Sequence, residues 1–340
     1  MNIYLDNGFL NAEIIAKHAS WLKVIIGGRQ IGKTFNTLKY HLDNDIPFIL
    51  MRRTNEELET LTHPKFNPFI KVNSLTDYNI QIFKEGKFYA AYDVDQEGIK
   101  TDKLRCMILG LPQLAKRGFD GSSFTSIIFD EFIPEKSVRV LRSEGDDLLN
   151  AYATIDGNRE LPPENKPPVT LWLLANSNSL KSPILEAFNL IDDVITMRAR
   201  KMEVLSSGKS LIIQPESREI MEQRKKTALM QQISKTSEFY GMAIENEFSY
   251  DRSPLIKPKS LKGYKPLFQY DNTMYVWEGS NDIYICRAKH QKNKYENNAF
   301  SRSSMTNDFF WVKRAYDSEL VSFSDHRMLI TFQWLFDISY

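Results

Sequence analysis

Short apolar runs separated by longer polar stretches set the rhythm of this chain. Lys23 to Ile26, Phe48 to Met51, Leu104 to Leu109, Thr125 to Phe129 and Val169 to Leu174 are rich in branched and bulky apolar residues and read as buried strands. Polar–apolar segments of helical length lie between them. That alternation predicts an α/β fold, a mainly parallel sheet covered by helices, over roughly the first two hundred residues. Gln81 to Tyr92 alternates on both sides of Lys84-Glu85-Gly86-Lys87 and predicts an inserted β-hairpin. Asp192 to Met197 is assigned as the last strand.

Beyond residue 200 the pattern changes. Ser206 to Asn246 is polar and rich in Met, Gln and Lys, with a helix start at Pro215-Glu216-Ser217-Arg218-Glu219, and reads as a helical connector. Asp251 to Pro266 carries three prolines among lysines, a linker composition. Pro266 to Gln269, Met274 to Trp277 and Ile283 to Arg287 are short strands between Asn, Asp and Gly turns, followed by an apolar closing segment, Met328 to Tyr340. The expected division is 1–200, 201–250 and 251–340.

Composition narrows the picture only a little. The 340 residues carry 44 Lys and Arg against 43 Asp and Glu, so total charge argues neither for nor against a nucleic-acid partner. Any such contact must come from local basic clusters. Cys106 and Cys286 lie in separate apolar segments without metal-ligand spacing, which predicts buried thiols in a reducing compartment. No run reaches eighteen apolar residues and the amino terminus has no leader pattern, so a cytosolic protein without a membrane segment is expected.

The chemistry is concentrated in two places. Gly27-Gly28-Arg29-Gln30-Ile31-Gly32-Lys33-Thr34 follows the first strand and fits the phosphate-loop pattern in spacing and position. Its backbone N–H groups are expected to converge on nucleotide phosphates, with Lys33 on the β/γ oxygens and the Thr34 hydroxyl on Mg²⁺. About a hundred residues later Ser126-Ile127-Ile128-Phe129-Asp130-Glu131 is an apolar strand ending in two acids, the Walker B form. Asp130 would hold the Mg²⁺ and Glu131 would polarise the attacking water. A carboxylate directly after the metal-binding acid belongs to water-activating ATPases, and no guanine-reading Asn-Lys-x-Asp occurs, so ATP is the expected nucleotide.

Other residues admit two readings each. Asn176, at the end of the Val169 strand, is either a γ-phosphate sensor or a loop-capping amide. Arg159, in the turn Asp156-Gly157-Asn158-Arg159-Glu160, is either a finger for a neighbouring subunit's γ-phosphate or a solvated surface arginine. Lys116-Arg117, Arg198 to Lys201, Arg224-Lys225-Lys226, Lys257 to Lys265 and Lys289, Lys292 and Lys294 are basic clusters that either face solvent or contact nucleic acid. Asp271, Glu278, Asp282 and Asp325 are the acids from which a C-terminal nuclease centre could be built, but their spacing is irregular.

Taken in order, Gly27 to Thr34, Phe48 to Arg53, Ile127 to Ile133, Leu148-Leu149-Asn150, Asn158-Arg159-Glu160, Leu174-Ala175-Asn176, Arg224 to Thr227 and Ser237 to Gly241 make this chain resemble the DNA-packaging ATPases of phi29-type tailed bacteriophages over most of its length. The resemblance implies a P-loop fold of the additional-strand catalytic-Glu class, a small helical linker, and a C-terminal domain similar to an RNase H-type terminase nuclease that has lost its catalytic acids. It further implies a homomeric ring, a pentamer, acting in the host cytoplasm and docked transiently at the portal vertex of a procapsid. There the ring would drive double-stranded DNA inward, with a structural packaging RNA in some members. This chain departs from that pattern at two points. The family's arginine finger would align with Gly157, so its role passes to Arg159, and a trans-acting basic residue ahead of the Walker B strand would be Lys116 or Arg117. Asn55 stands where the family has a lysine. The rival expectations are another P-loop motor, such as a helicase or phage-assembly ATPase, and a nucleotide-gated structural ring component.

Overall fold

The structure, a computed structural model, describes residues 1–114, 121–135, 138, 140–237, 239–241 and 253–338. The chain divides into two compact units, Met1–Ser249 and Tyr250–Tyr340. Among the described residues the first unit carries a nine-stranded sheet. Its strands are β1 (Leu22–Ile26), β2 (Phe48–Arg52), β3 (Ile80–Glu85), β4 (Phe88–Val94), β5 (Lys100–Gly110), β6 (Ser126–Asp130), β7 (Thr170–Ala175), β8 (Val204–Ser207) and β9 (Ser210–Ile213). Their spatial order is β3-β4-β5-β2-β6-β7-β1-β9-β8.

The six central strands from β5 to β9 are parallel, and β3, β4 and β8 are antiparallel additions at the two edges. A parallel sheet is covered on both faces, so its strands need no polar side. That is why β1, β6 and β9 are buried at every residue and why β1 and β6 stand out in the sequence as continuous apolar runs. The hairpin read at Gln81 to Tyr92 is β3–β4, turning at Gly86 with φ +63°. β7 lies between β1 and β6, so the strand that leads into Gly27 and the strand that ends in Asp130 are not neighbours. This is the inserted strand of the additional-strand class.

Two expectations change. Asp192 to Met197 is not a strand: it lies within the helix Ile191–Ala199, whose buried residues Ile191, Val194 and Met197 recur every three positions, a helical period. The segment after residue 200 is not wholly a helical connector either, because β8 and β9 form a hairpin around Gly208 (φ +60°) and β9 pairs with β1. The sheet therefore extends past the expected boundary at 200. Each of these two strands is only four residues long, with Ser206, Ser207 and Ser210 around the turn, so composition concealed them. The expected helix start is present: Ser217 caps the helix Arg218–Lys225 by accepting a hydrogen bond from the Ile220 N–H.

The second unit is a mixed α/β body. β10 (Lys265–Tyr270), β11 (Met274–Glu278), β12 (Ile283–Cys286), β13 (Lys294–Tyr295) and β14 (Val321–Phe323) form a sheet in the order β13-β10-β11-β12-β14. The helices Ala299–Asp308, Phe310–Asp317 and His326–Leu335 belong to this unit. Met305, Val312, Phe323 and Phe332 lie at the centre of its core. Cys106 and Cys286 are free, buried thiols in β5 and β12, one in each unit. Among the described residues no helix is long and apolar enough to cross a membrane.

Candidate nucleotide-hydrolysis site

The site forms at the carboxyl ends of β1, β6 and β7, where the inserted strand brings the loops after all three together. In open α/β sheets that edge is where ligands bind. β1 ends at Ile26, and the Gly27 N–H donates to the Ala175 carbonyl at 3.1 Å, tying the loop's start to the end of β7. A Cβ on Gly27 would lie 2.7 Å from Cγ of Pro215, so that close approach needs glycine. Gly32 has φ +84° and caps the helix Lys33–Asp43 without a side chain. This left-handed turn leaves the first N–H groups of the helix open at the loop.

Lys33 extends back across the loop. Its Nζ donates to the carbonyls of Gly27 at 2.9 Å and Gly28 at 2.7 Å and to Asn176 Oδ1 at 3.0 Å. Burial pulls its pKa down to about 7, although Asp130 and Glu131 favour the charged form. Phosphate oxygens would offset that desolvation. Asn176 is thus placed beside Lys33, at the one strand end between the two motifs.

Asp130 is buried at the end of β6 and holds two partners. Thr34 Oγ1 donates to its Oδ1 at 2.9 Å and Arg52 Nη2 donates to its Oδ2 at 3.0 Å. Arg52 also pairs with Glu131, whose side chain is otherwise half exposed. Burial works against the Arg52 charge, yet the two carboxylates outweigh it and hold the guanidinium above its ordinary value. Glu131 has φ +59°, a left-handed backbone that a non-glycine residue adopts only when its surroundings enforce it. The turn is held by Phe132 N–H donating to the Leu174 carbonyl at 3.2 Å.

The donor set fits Mg²⁺. This ion takes one or two protein oxygens and completes its octahedron with phosphates and water. Thr34 and Asp130 supply a hydroxyl and a carboxylate already in contact. Among the described residues no group of three or more His, Cys, Asp or Glu could cage a metal by itself.

Sequence reasoning named Arg224 only as part of a basic cluster and Arg52 only within the family resemblance, gave neither a role at this site, and did not name Glu135. Arg224, on the helix Arg218–Lys225, donates to the Arg29 carbonyl at 2.8 Å and so reaches the phosphate loop from about two hundred residues away. Arg29 pairs with Glu135. The available signal for Arg52 was its position at the carboxyl end of a parallel strand. For Arg224, nothing local pointed to the phosphate loop, since only the chain's return to β1 brings it near.

The remaining candidates lie elsewhere. Arg159 is not brought to this cluster: it is 8% exposed at the opposite, amino-terminal edge of the sheet, where Nη2 donates to the Ser122 carbonyl at 2.9 Å. In this conformation it does not project from the surface as a finger must. Lys116 and Arg117 lie outside the described residues. Lys289, Lys292 and Lys294 are exposed near β13 in the second unit. Asp282 is held by Lys259 and Tyr264, Asp325 caps a helix and pairs with Arg287, and Asp271 sits in the turn after β10.

This fold and this cluster define a P-loop ATPase of the additional-strand class. The chain matches the sequence profile of the Podovirus DNA encapsidation protein (Gp16) family over residues 6–322, and it belongs to that family of DNA-packaging ATPases. Comparison with curated protein sequences gives no significant match. Among solved structures it is similar to the Phi-28 gp11 DNA packaging motor, with 17% identity and a TM-score of 0.64 over 98% of this chain and 100% of that chain. The N-terminal domain of the DNA packaging ATPase from bacteriophage phi29 matches with 23% identity and a TM-score of 0.45, over 62% of this chain and 97% of that one. The Gp16 C-terminal domain from Bacillus virus phi29 matches with 20% identity and a TM-score of 0.22, over 26% and 98%.

Proposed function

We propose that this chain is the Mg²⁺-dependent, DNA-stimulated motor subunit that hydrolyses ATP to drive double-stranded DNA into a procapsid. The reading rests on one observation. Lys33, Thr34, Asp130, Glu131 and Asn176, drawn from three strand ends, meet in one place in a chain of the DNA-encapsidation family.

In this reading Gly27 to Gly32 cradle the phosphates with backbone N–H groups, and Lys33 turns from the Gly27 and Gly28 carbonyls to the β/γ oxygens. Thr34 and Asp130 hold the Mg²⁺, which supplies charge neutralisation on the phosphates. Glu131 must leave Arg52 before it can take a proton from the attacking water. Asn176, already bonded to Lys33, reports the γ-phosphate to β7. We further propose a homomeric ring, a pentamer by family resemblance, seated on the procapsid portal, where some members of the family carry a structural packaging RNA. The exposed lysines Lys289, Lys292 and Lys294 are its candidate DNA contacts in the second unit.

The test follows phosphate release by the full-length chain with and without Mg²⁺ and linear double-stranded DNA. Hydrolysis should require Mg²⁺ and rise with DNA, without strand separation on a forked duplex. Glu131→Gln should bind ATP yet lose at least ~10²-fold in rate, whereas Lys33→Ala should lose binding. Hydrolysis indifferent to DNA, or wild-type turnover in Glu131→Gln, would overturn the reading.

A further inference from the structure

We infer that the first unit carries a second anion site, at the opposite edge of the sheet from the hydrolysis site, and that it takes the phosphate group of a small molecule. A cavity of about 470 Å³ opens there, within the range of small-ligand sites. Lys23, Arg159, Lys166, Thr125, Thr170 and Trp172 are among its walls. Its described lining contains three cations and several hydroxyls and no carboxylate.

Two of those cations are built into the fold. Lys23 is 2% exposed, with Nζ donating to the His18 and Ser20 carbonyls, each at 2.8 Å, and lying 5.6 Å from the Trp172 ring centre. Arg159 is 8% exposed, and its Nε is buried with no hydrogen-bond partner. Lys166 stands at the rim and pairs outward with Glu164 at 2.9 Å.

Burying a cation without an acid beside it is costly, because the carbonyls that replace part of its hydration bring no countercharge. The cost is visible at Lys23, where burial alone brings the pKa down to about 8. A phosphate group supplies the missing charge and enough acceptor oxygens for the orphaned Nε of Arg159, the remaining ammonium donor of Lys23 and the hydroxyls of Thr125 and Thr170. No carboxylate on the wall would repel it.

The position is also independent of the phosphate loop. Lys23 and Thr170 lie near the starts of β1 and β7, whose far ends carry Gly27 and Asn176, so a strand length of roughly 16 Å separates the two sites at 3.2–3.4 Å per residue. One consequence is that the hydrolysis site can be disabled while the second site is measured.

The experiment uses the full-length chain carrying Lys33→Ala, with pyrophosphate titrated by calorimetry in the absence of Mg²⁺. We expect one saturable site whose affinity falls at least tenfold in Lys23→Met and in Arg159→Gln. Thr125→Glu, which adds an acid at an exposed wall position and leaves the core untouched, should abolish binding. Parallel titrations with AMP and adenosine identify the source of the phosphate. AMP binding more tightly than pyrophosphate points to a nucleotide, and the reverse points to a free phosphate. Absence of binding in the Lys33→Ala background overturns the inference, as does unchanged affinity in Thr125→Glu and Arg159→Gln when both are folded by circular dichroism.

Discussion

His41 shows how a single side chain couples the hydrolysis-site helix to the sheet. Its ring is buried between Tyr40, Phe48 and Trp172. Nδ1 lies 2.7 Å from the Thr37 carbonyl, which can only accept, so Nδ1 carries the hydrogen. Nε2 then accepts from the Ser126 hydroxyl at 2.7 Å. Burial lowers the pKa to about 4, against the ordinary 6.5. Between those values the unfolded chain binds a proton that the folded chain refuses, so protonation favours unfolding. The contribution of His41 is therefore complete above pH 6.5, is lost as pH falls, and levels off below about 4. Urea unfolding of wild type and His41→Gln should diverge at pH 7 and converge toward pH 4. A constant difference across that range would exclude this titration.

Elements are held to one another by a few polar ties as well as by the core. Arg53, immediately after β2 and fully buried, donates through Nε and Nη2 to both oxygens of Glu144 at 2.9 and 2.7 Å. Glu144 opens the helix Glu144–Asp156, so the pair fixes that helix against the sheet edge that carries Arg52. Glu57 also pairs with Arg53 at 3.2 Å, so removing Glu144 takes two charge-assisted hydrogen bonds from the guanidinium without leaving it unpaired, a loss of about 2 kcal/mol. Glu144→Gln should lower unfolding stability by that order while leaving ATP binding intact, and a change below ~0.5 kcal/mol would show that the pair is not structural. The sequence presents Arg52 and Arg53 as two alike residues. Arg52 closes β2 and Arg53 follows it, and the two side chains diverge, one reaching Asp130 and Glu131 and the other the helix Glu144–Asp156.

At the scale of the whole molecule the open question is what a neighbouring copy supplies. A cation delivered in trans to the γ-phosphate is worth roughly 10³ to 10⁵ in rate. With Arg159 buried at the far edge of the sheet, Lys116 and Arg117 are the remaining candidates. Lys33→Ala mixed with a Lys116→Ala, Arg117→Ala double variant should recover DNA-dependent hydrolysis that neither shows alone. Each mixed interface pairs one intact site with one intact cation. If mixed rings form and stay inactive, or if the double variant alone hydrolyses ATP at the wild-type rate, the trans assignment to these residues fails.

The sequence alone determined whatever depends on local pattern. Parallel strands buried on both faces must be continuous apolar runs, so β1, β2, β5, β6 and β7 were legible, and a phosphate loop must keep its spacing, so Gly27 to Thr34 and Asp130-Glu131 were too. Tertiary structure decided what depends on strand order and on return of the chain. Placing β7 between β1 and β6 puts Asn176 against Lys33, pairing β9 with β1 draws Arg224 to the loop, and the end of β2 delivers Arg52 to both acids. Arg159 makes the same point in reverse. Its polar turn of Asp, Gly and Asn reads as solvent-facing, and only the packing of that turn against the sheet's starting edge buries the guanidinium, because burial is set by neighbours distant in sequence rather than by those beside it.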